Sequence, residues 1–343
     1  MKDRYILTSM TRISDLGELP FSLEPLARNR WATGDYVAAE VLGDPSPSMA
    51  ELASGRMVEL TEGDVVVGAL GHRHATLEAT GSWEAVEGDG IMELLTGGGL
   101  MGRCTSRSSL IPPLCRMRYS GHVARDGQLL EMENFVPQGP EPAVGPPQGL
   151  NVPAVMIIGT SMSAGKTAAA RVVIRRLRQE KQRVLAGKVT GASRYRDILT
   201  MADSGAESIF DFVDMGLPST ICPPREYGRK LEGLLARMSD VPADAAVIEV
   251  GASPLEPYNG AGAVRRISES VKLTILCASD PYAVLGIMEA FDLVPDLVTG
   301  ITSNTLAGVE LVEKLTRVRC LNLRDARSHA PLDDLLRARG FLG

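Results

Sequence analysis

No C-x-x-C pair occurs in this chain, and its five cysteines, Cys104, Cys115, Cys222, Cys277 and Cys320, are an odd number scattered over most of its length. That excludes a small disulfide-stapled module and reads as the reduced, mostly buried thiols of a cytoplasmic protein. No cysteine stands beside a histidine in a way that would mark a nucleophile. Positive charge is short as well. With 36 Lys and Arg against 42 Asp and Glu the net charge is −6, so nothing electrostatic favours nucleic acid or an anionic membrane, and neither is expected as a partner. No apolar run approaches the ~20 residues of a membrane span. The first residues, MKDRYILTSMTRISDLGELP, place charged and polar groups where a signal peptide needs an apolar core. The cytoplasm is the expected address.

What is present is ordinary globular material: 44% hydrophobic and 23% charged residues over 343 positions. At roughly 150 residues per domain that length suggests two domains. The 35 glycines and 21 prolines imply many turns, and the sharpest change of composition is VPQGPEPAVGPPQGLNVP, which starts at Val136. Such a segment lacks backbone donors and cannot continue a helix or a central strand, so it reads as a semi-rigid linker. The expected division is a β-rich domain over 1–136, a linker over 137–152 and an α/β domain over 153–343.

Before the linker, short apolar stretches such as DYVAAEVLG, DVVVGALG and RHATLEAT are punctuated by glycines. Strands of that length with turns at that spacing favour a compact, mostly antiparallel sheet or small barrel. After it, continuous apolar runs alternate with helix-length stretches: PAVMIIG, AAARVVIRRLRQEK, RVLAGKV, DAAVIEVG, VKLTILCA, DLVTGIT. Unbroken apolar runs are strands covered on both faces, which gives a doubly wound parallel sheet.

The strongest motif is Gly159-Thr160-Ser161-Met162-Ser163-Ala164-Gly165-Lys166-Thr167, placed between a buried strand and an amphipathic helix. A Gly-rich turn at a helix N-terminus aims backbone N–H groups and the positive end of the helix dipole at one point, which suits a phosphate chain. Lys166 would then reach the β/γ oxygens and the Thr167 hydroxyl would sit on Mg²⁺. The strict G-x4-G-K-[ST] spacing is missed by one place, because position 160 is Thr. Glu249, after the apolar run Ala245-Ala-Val-Ile, is the expected strand-end carboxylate for the metal. Lys188, in Gly187-Lys188-Val-Thr190-Gly191, ends the second strand and could neutralise a second anion. Beyond it, Arg194 and Arg196 offer cations for an anionic substrate, and Asp197 a further metal contact.

These pieces resemble dethiobiotin synthetase and its relatives among the P-loop ligases. The family's G-T-x-x-x-x-G-K-T loop is matched by Gly159 to Thr167, its K-P-x-x-T-G strand end is similar to Lys188-Val-Thr190-Gly191, and its E-G-A-G-G turn to Glu249-Val-Gly-Ala. Its G-x-x-x-N motif fits Gly300-Ile-Thr-Ser-Asn304. The resemblance spans about residues 153 to 323. It implies ATP on the loop residues Gly159, Thr160, Ser161, Ser163, Ala164, Gly165, Lys166 and Thr167, with Thr190 nearby and Asn304 at adenine. It places Mg²⁺ on Thr167, Glu249 and Asp197, and makes Lys166, Lys188 and Glu249 the catalytic set. The proline of K-P is absent, Val250 and Ser253 alter the glycine turn, and a whole domain precedes the loop, so dethiobiotin synthesis itself is not expected. The extra loop lysine of the dimeric switch ATPases is replaced by Ser161.

The expectation is a Mg²⁺·ATP-dependent enzyme, ligase-like or phosphoryl-transferring, acting on a small anionic, carboxylate-type metabolite; a homodimer is compatible with this. The alternative is a nucleotide-gated regulator or assembly factor that docks a protein through its N-terminal domain, and a third reading has the fold hold coenzyme A. Three other segments are noted. His72-Arg-His74 puts two imidazoles on one strand face without a third ligand. Gly97 to Ser109 reads as a turn or a flexible loop, and Pro218 to Pro224 as a strand and turn.

Overall fold

The computed structural model describes residues 5–43, 48–137 and 149–343, so most of the expected linker, residues 138–148, lies outside the described residues. The chain forms two compact units. The first takes the described residues before the Pro-rich segment together with Ala192–Arg196 and Phe212–Ile221, and the second takes the remainder.

The strands of the first unit are β1 (Tyr5–Leu7), β2 (Ser22–Glu24), β3 (Tyr36–Val41), β4 (Met49–Glu51), β5 (Met57–Glu59), β6 (Val65–Leu70), β7 (His72–His74), β8 (Ala79–Ser82), β9 (Ile91–Leu94), β10 (Leu100–Arg107), β11 (Arg116–Arg125) and β12 (Gln128–Leu129). Between residues 5 and 137 the described helical segments are short 3₁₀ turns. β6, β3, β11, β9 and β10 pair in that order, and β10 returns to β6, so these strands close a ring. Closure removes sheet edges. All pairs in the ring are antiparallel except β6–β10. Period-two apolar positions, Val37, Ala39 and Val41 on β3 with Met92 and Leu94 on β9, meet Val66, Leu70, Met101 and Met117 in one core.

Two expectations change here. Gly97 to Ser109 is not a flexible loop: Leu100–Arg107 is strand β10. Gly99 has φ +106, and a Cβ there would stand 1.9 Å from Thr8 Oγ1, so the glycines are spent on close packing at a strand entry. Pro218 to Pro224 is not a strand. It makes one isolated bridge, Ala192 to Ser219, and Pro224 already begins a helix, where its missing N–H costs nothing.

The second unit is a parallel sheet of β13 (Ala154–Gly159), β14 (Val184–Thr190), β15 (Ser208–Asp211), β16 (Ala245–Val250), β17 (Val271–Cys277) and β18 (Leu297–Thr299), in the order β15-β14-β16-β13-β17-β18. Its helices are α1 (Lys166–Gln179), α2 (Tyr195–Ala202), α3 (Pro224–Ser239), α4 (Gly260–Ile267), α5 (Pro281–Phe291), α6 (Leu306–Thr316) and α7 (His329–Ala338), with the opening residues of α2 counted in the first unit. Ala170, Val173, Ile174 and Leu177 of α1 and Leu332 and Leu336 of α7 join one face of the strands in a single core. Met238 of α3 covers the other face, its Cε 2.8 Å from where a Cβ on Gly187 would be. Helices on both faces explain the uninterrupted apolar runs. No helix among the described residues is long and apolar enough to cross a membrane.

Ile174 is fully buried in the core between α1 and the sheet, so Ile174→Ala should lower the unfolding free energy by about 2–5 kcal/mol. Urea denaturation followed by far-UV circular dichroism checks it.

Candidate functional site

In an open parallel sheet, ligands bind beyond the carboxyl ends of the strands. There, the loop between β13 and α1 bends through two left-handed residues, Ser163 at φ +62 and Gly165 at φ +106. Gly165 is the N-cap of α1 and supplies no side-chain cap, so the first N–H groups of the helix have no intramolecular acceptor from it. The Lys166 side chain folds over Gly159, where a Cβ would lie 2.8 Å from Cδ and 2.9 Å from Nζ. Its ammonium donates to the Ser161 carbonyl at 2.7 Å. The glycine that the strict motif places at 160 is needed at 159, under the lysine. Thr160 is used differently: its Oγ1 accepts from the Ser279 amide at 3.0 Å and meets Ser279 Oγ at 3.1 Å, pinning the loop to the end of β17.

The carboxyl ends of β14, β15 and β16 bring the other residues in. Register sets Lys188 opposite Glu249 on one side and opposite Asp211 on the other. Thr167 Oγ1 donates to Glu249 Oε2 at 2.9 Å. Lys188 Nζ donates to Asp197 Oδ2. Room for that lysine comes from Gly191 and Gly251, where added Cβ atoms would lie 3.3 and 3.0 Å from Lys188 Cε. Thr190 Oγ1 donates to the Gly251 carbonyl at 3.0 Å, so Thr190 shapes the strand end.

The electrostatics follow from burial. Burial pulls the Lys166 ammonium below the usual lysine range, opposed chiefly by Glu249. Burial raises the Glu249 carboxyl, opposed by Lys188 and Lys166. At Lys188 burial again acts downward, but Asp197, Glu249 and Asp211 outweigh it and the ammonium lies above the usual range. Asp211, 1% exposed, is the member that the sequence reading missed. Its only sequence signal is a weak one, the four-residue run SIFD that ends in a carboxylate.

The Ser161 hydroxyl is buried, in a residue 3% exposed, and has no hydrogen-bond partner. An orphaned hydroxyl in a glycine-bent loop before an uncapped helix is the donor set an anion would satisfy. On the far side of the loop, a cleft lined by Ser163, Gly165, Ala168, Gly300, Asn304 and Arg324 opens beside α1. Gly300 fixes its floor: φ is +97, and a Cβ would lie 2.4 Å from the Ala164 carbonyl. Arg194 and Arg196 are exposed and belong to the first unit. Among the described residues no group of three or more His, Cys, Asp or Glu could hold a metal ion. His72 is engaged by hydroxyls, Ser82 Oγ at Nδ1 and Thr33 Oγ1 at Nε2.

No protein-family model matches the chain, and neither does any curated protein. Among solved structures, HypB from Helicobacter pylori in complex with nickel is similar over 55% of this chain and 86% of its own, at 14% identity and TM-score 0.37. HypB from Archaeoglobus fulgidus is similar over 55% and 89%, at 15% identity and TM-score 0.36. A ParA family ATPase from Chlorobium tepidum is similar over 55% and 91%, at 14% identity and TM-score 0.31.

Two outcomes follow. Glu249→Ala leaves two buried ammonium groups short of a counter-charge and should cost about 3–5 kcal/mol of stability, read by urea denaturation. A lysine whose folded pKa is raised stabilises fully below its unfolded pKa and loses that contribution as pH rises through the folded value. Lys188 therefore makes stability fall as pH rises from the ordinary lysine range to its raised folded value, and Asp197→Asn should make that fall smaller and complete it at lower pH in melts run across the alkaline range.

Proposed function

We propose that the second unit binds a Mg²⁺–nucleoside triphosphate and uses it to act on a small carboxylate-type metabolite. The observation that carries this is the loop itself: Lys166 laid over Gly159, Thr167 bonded to Glu249, and the unsatisfied Ser161 hydroxyl. The phosphate chain would take the N–H groups at the start of α1 and the Ser161 hydroxyl, displacing the Ser161 carbonyl from the Lys166 ammonium. Mg²⁺ would be held by Thr167, with Glu249 behind it, and would offset phosphate charge. Asp197 could reach the metal only by releasing Lys188. Lys188, freed or shared, would orient the anionic group of the substrate.

Adenine is the base this reading favours. The cleft beside α1 offers the amides of Asn304 and Asn322 and the guanidinium of Arg324, and no carboxylate lines it to accept from the N–H groups of guanine. A cytoplasmic site of action fits the reduced cysteines.

Isothermal calorimetry should show Mg²⁺·ATP binding the full chain more tightly than Mg²⁺·GTP, with Lys166→Ala at least about 100-fold weaker, the loss of roughly 3 kcal/mol that a charged hydrogen bond can supply. Absence of binding to the unmodified protein would overturn the reading.

A further inference from the structure

A second cavity, of about 410 Å³, lies in the second unit between the start of α3 and the segment that leads from β16 into α4. That volume is in the range of small-molecule sites. Its walls follow the carboxyl ends of β15 and β16, whereas Asn304 follows β18 at the other end of the sheet order. Tyr227, at its wall, donates to the Val189 carbonyl at 3.1 Å, one residue beyond Lys188. The other wall follows directly from Glu249 through Pro254 and Asn259, whose amide donates to the Cys222 carbonyl at 3.0 Å.

Two helix glycines line this cavity, Gly228 in α3 and Gly262 in α4. Glycine inside a helix costs about 1 kcal/mol against alanine. Neither position has a left-handed φ, and a Cβ built at either meets nothing within 4 Å. By contrast, Gly260 is required, since a Cβ there would lie 2.7 Å from Pro254 Cα. The fold thus has no need of Gly228 or Gly262, and what each keeps open is the cavity.

The lining carries two carboxylates, Glu232 and Glu256, and two guanidinium groups, Arg265 and Arg266. Glu256 is 8% exposed and is held in place by the Ser253 amide at 2.6 Å. Glu232 and Arg266 stand 3.9 Å apart. A balanced lining rejects a phosphate chain, which would meet the carboxylates, and a bare metal ion, which would meet the guanidinium groups. It suits a molecule bearing one charge of each sign, with its apolar part on Tyr227, Leu231 and Pro254.

We propose that this cavity holds the second substrate, a small amphoteric molecule with one carboxylate for Arg265, one amine for Glu256 and a short apolar frame. Its role as substrate rests on the nucleotide reading above; its ligand class does not. Calorimetry on the full chain would use L-leucine as probe, with 4-methylpentanoate and 3-methylbutylamine as its single-charge counterparts. L-Leucine should bind at least tenfold more tightly than either. Gly228→Leu and Gly262→Leu should each weaken it at least tenfold with Mg²⁺·ATP binding unchanged and melting temperature the same or raised, and Gly→Ala at the same positions serves if either leucine variant fails to fold. Glu256→Gln should bring L-leucine and 4-methylpentanoate to similar affinity. Equal binding of the three probes, no binding of any, or filled variants that bind as the unmodified protein does would overturn the site. Loss of Mg²⁺·ATP binding with the L-leucine pattern intact would instead remove the nucleotide reading and leave the ligand class supported.

Discussion

Charges taken out of water at the carboxyl ends of β14 and β16 must neutralise one another, and the rest of the second unit is arranged around that requirement. Lys188 and Glu249 are opposite each other in register, and Glu249 is also opposite Ile157 on β13, the strand that runs into the loop. Glu249, 2% exposed, would be a costly isolated charge. It is kept by a hydroxyl from Thr167 and by the ammonium groups of Lys166 and Lys188, which are themselves buried. Removing one partner leaves the others uncompensated, so these residues behave as a unit.

Steric space is what lets the charges converge. Long lysine side chains can lie along a strand end only where neighbours lack Cβ atoms, and Gly159, Gly191 and Gly251 are those positions. At Gly251 a Cβ would also stand 2.1 Å from the Thr190 carbonyl, which ties the β14 and β16 ends together. The next residue, Ala252, takes φ +58, a conformation that costs a residue with a Cβ about 1–2 kcal/mol. The turn after Glu249 therefore places at Ala252 a backbone conformation that glycine would adopt without strain.

Much of this was legible in the sequence because it depends on short-range pattern. Buried strands followed by helices, the Gly-Lys-Thr loop and the strand-end Glu249 and Lys188 all follow from periodicity and punctuation. The ion pair of Lys188 with Asp197 was not legible, since Asp197 had been read as a metal contact and only the register and the path of α2 bring the two together. Asp211 was missed because a four-residue strand gives too little pattern to mark its last residue as buried. The β10 strand was obscured by Gly97 to Gly99, of which Gly99 packs against Thr8 and Met10 rather than supplying freedom of movement. The segment at Pro218 failed for a related reason: Pro218, Ser219 and Thr220 are buried with one isolated bridge, without the pairing that makes a strand.

The charge inventory also constrains what can enter the site. Lys166 and Lys188 contribute two basic groups, whereas Glu249, Asp197 and Asp211 contribute three acidic ones, so the cluster carries no surplus of basic groups. A bare triphosphate would bring several negative charges into that surrounding, where low dielectric makes repulsion expensive. A divalent cation entering with the phosphates offsets that charge, and Thr167 already points its hydroxyl at the carboxylate that would stand behind such an ion. The ammonium of Lys166 donates to the loop's own neutral Ser161 carbonyl, and a phosphate oxygen that took its place would bring a negative charge to the same donor. In the nucleotide reading Ser161 Oγ and the N–H groups at the start of α1 would add to that contact, and they and the lysine would act on the phosphate chain together only when it lies along the loop from Gly159 to Gly165.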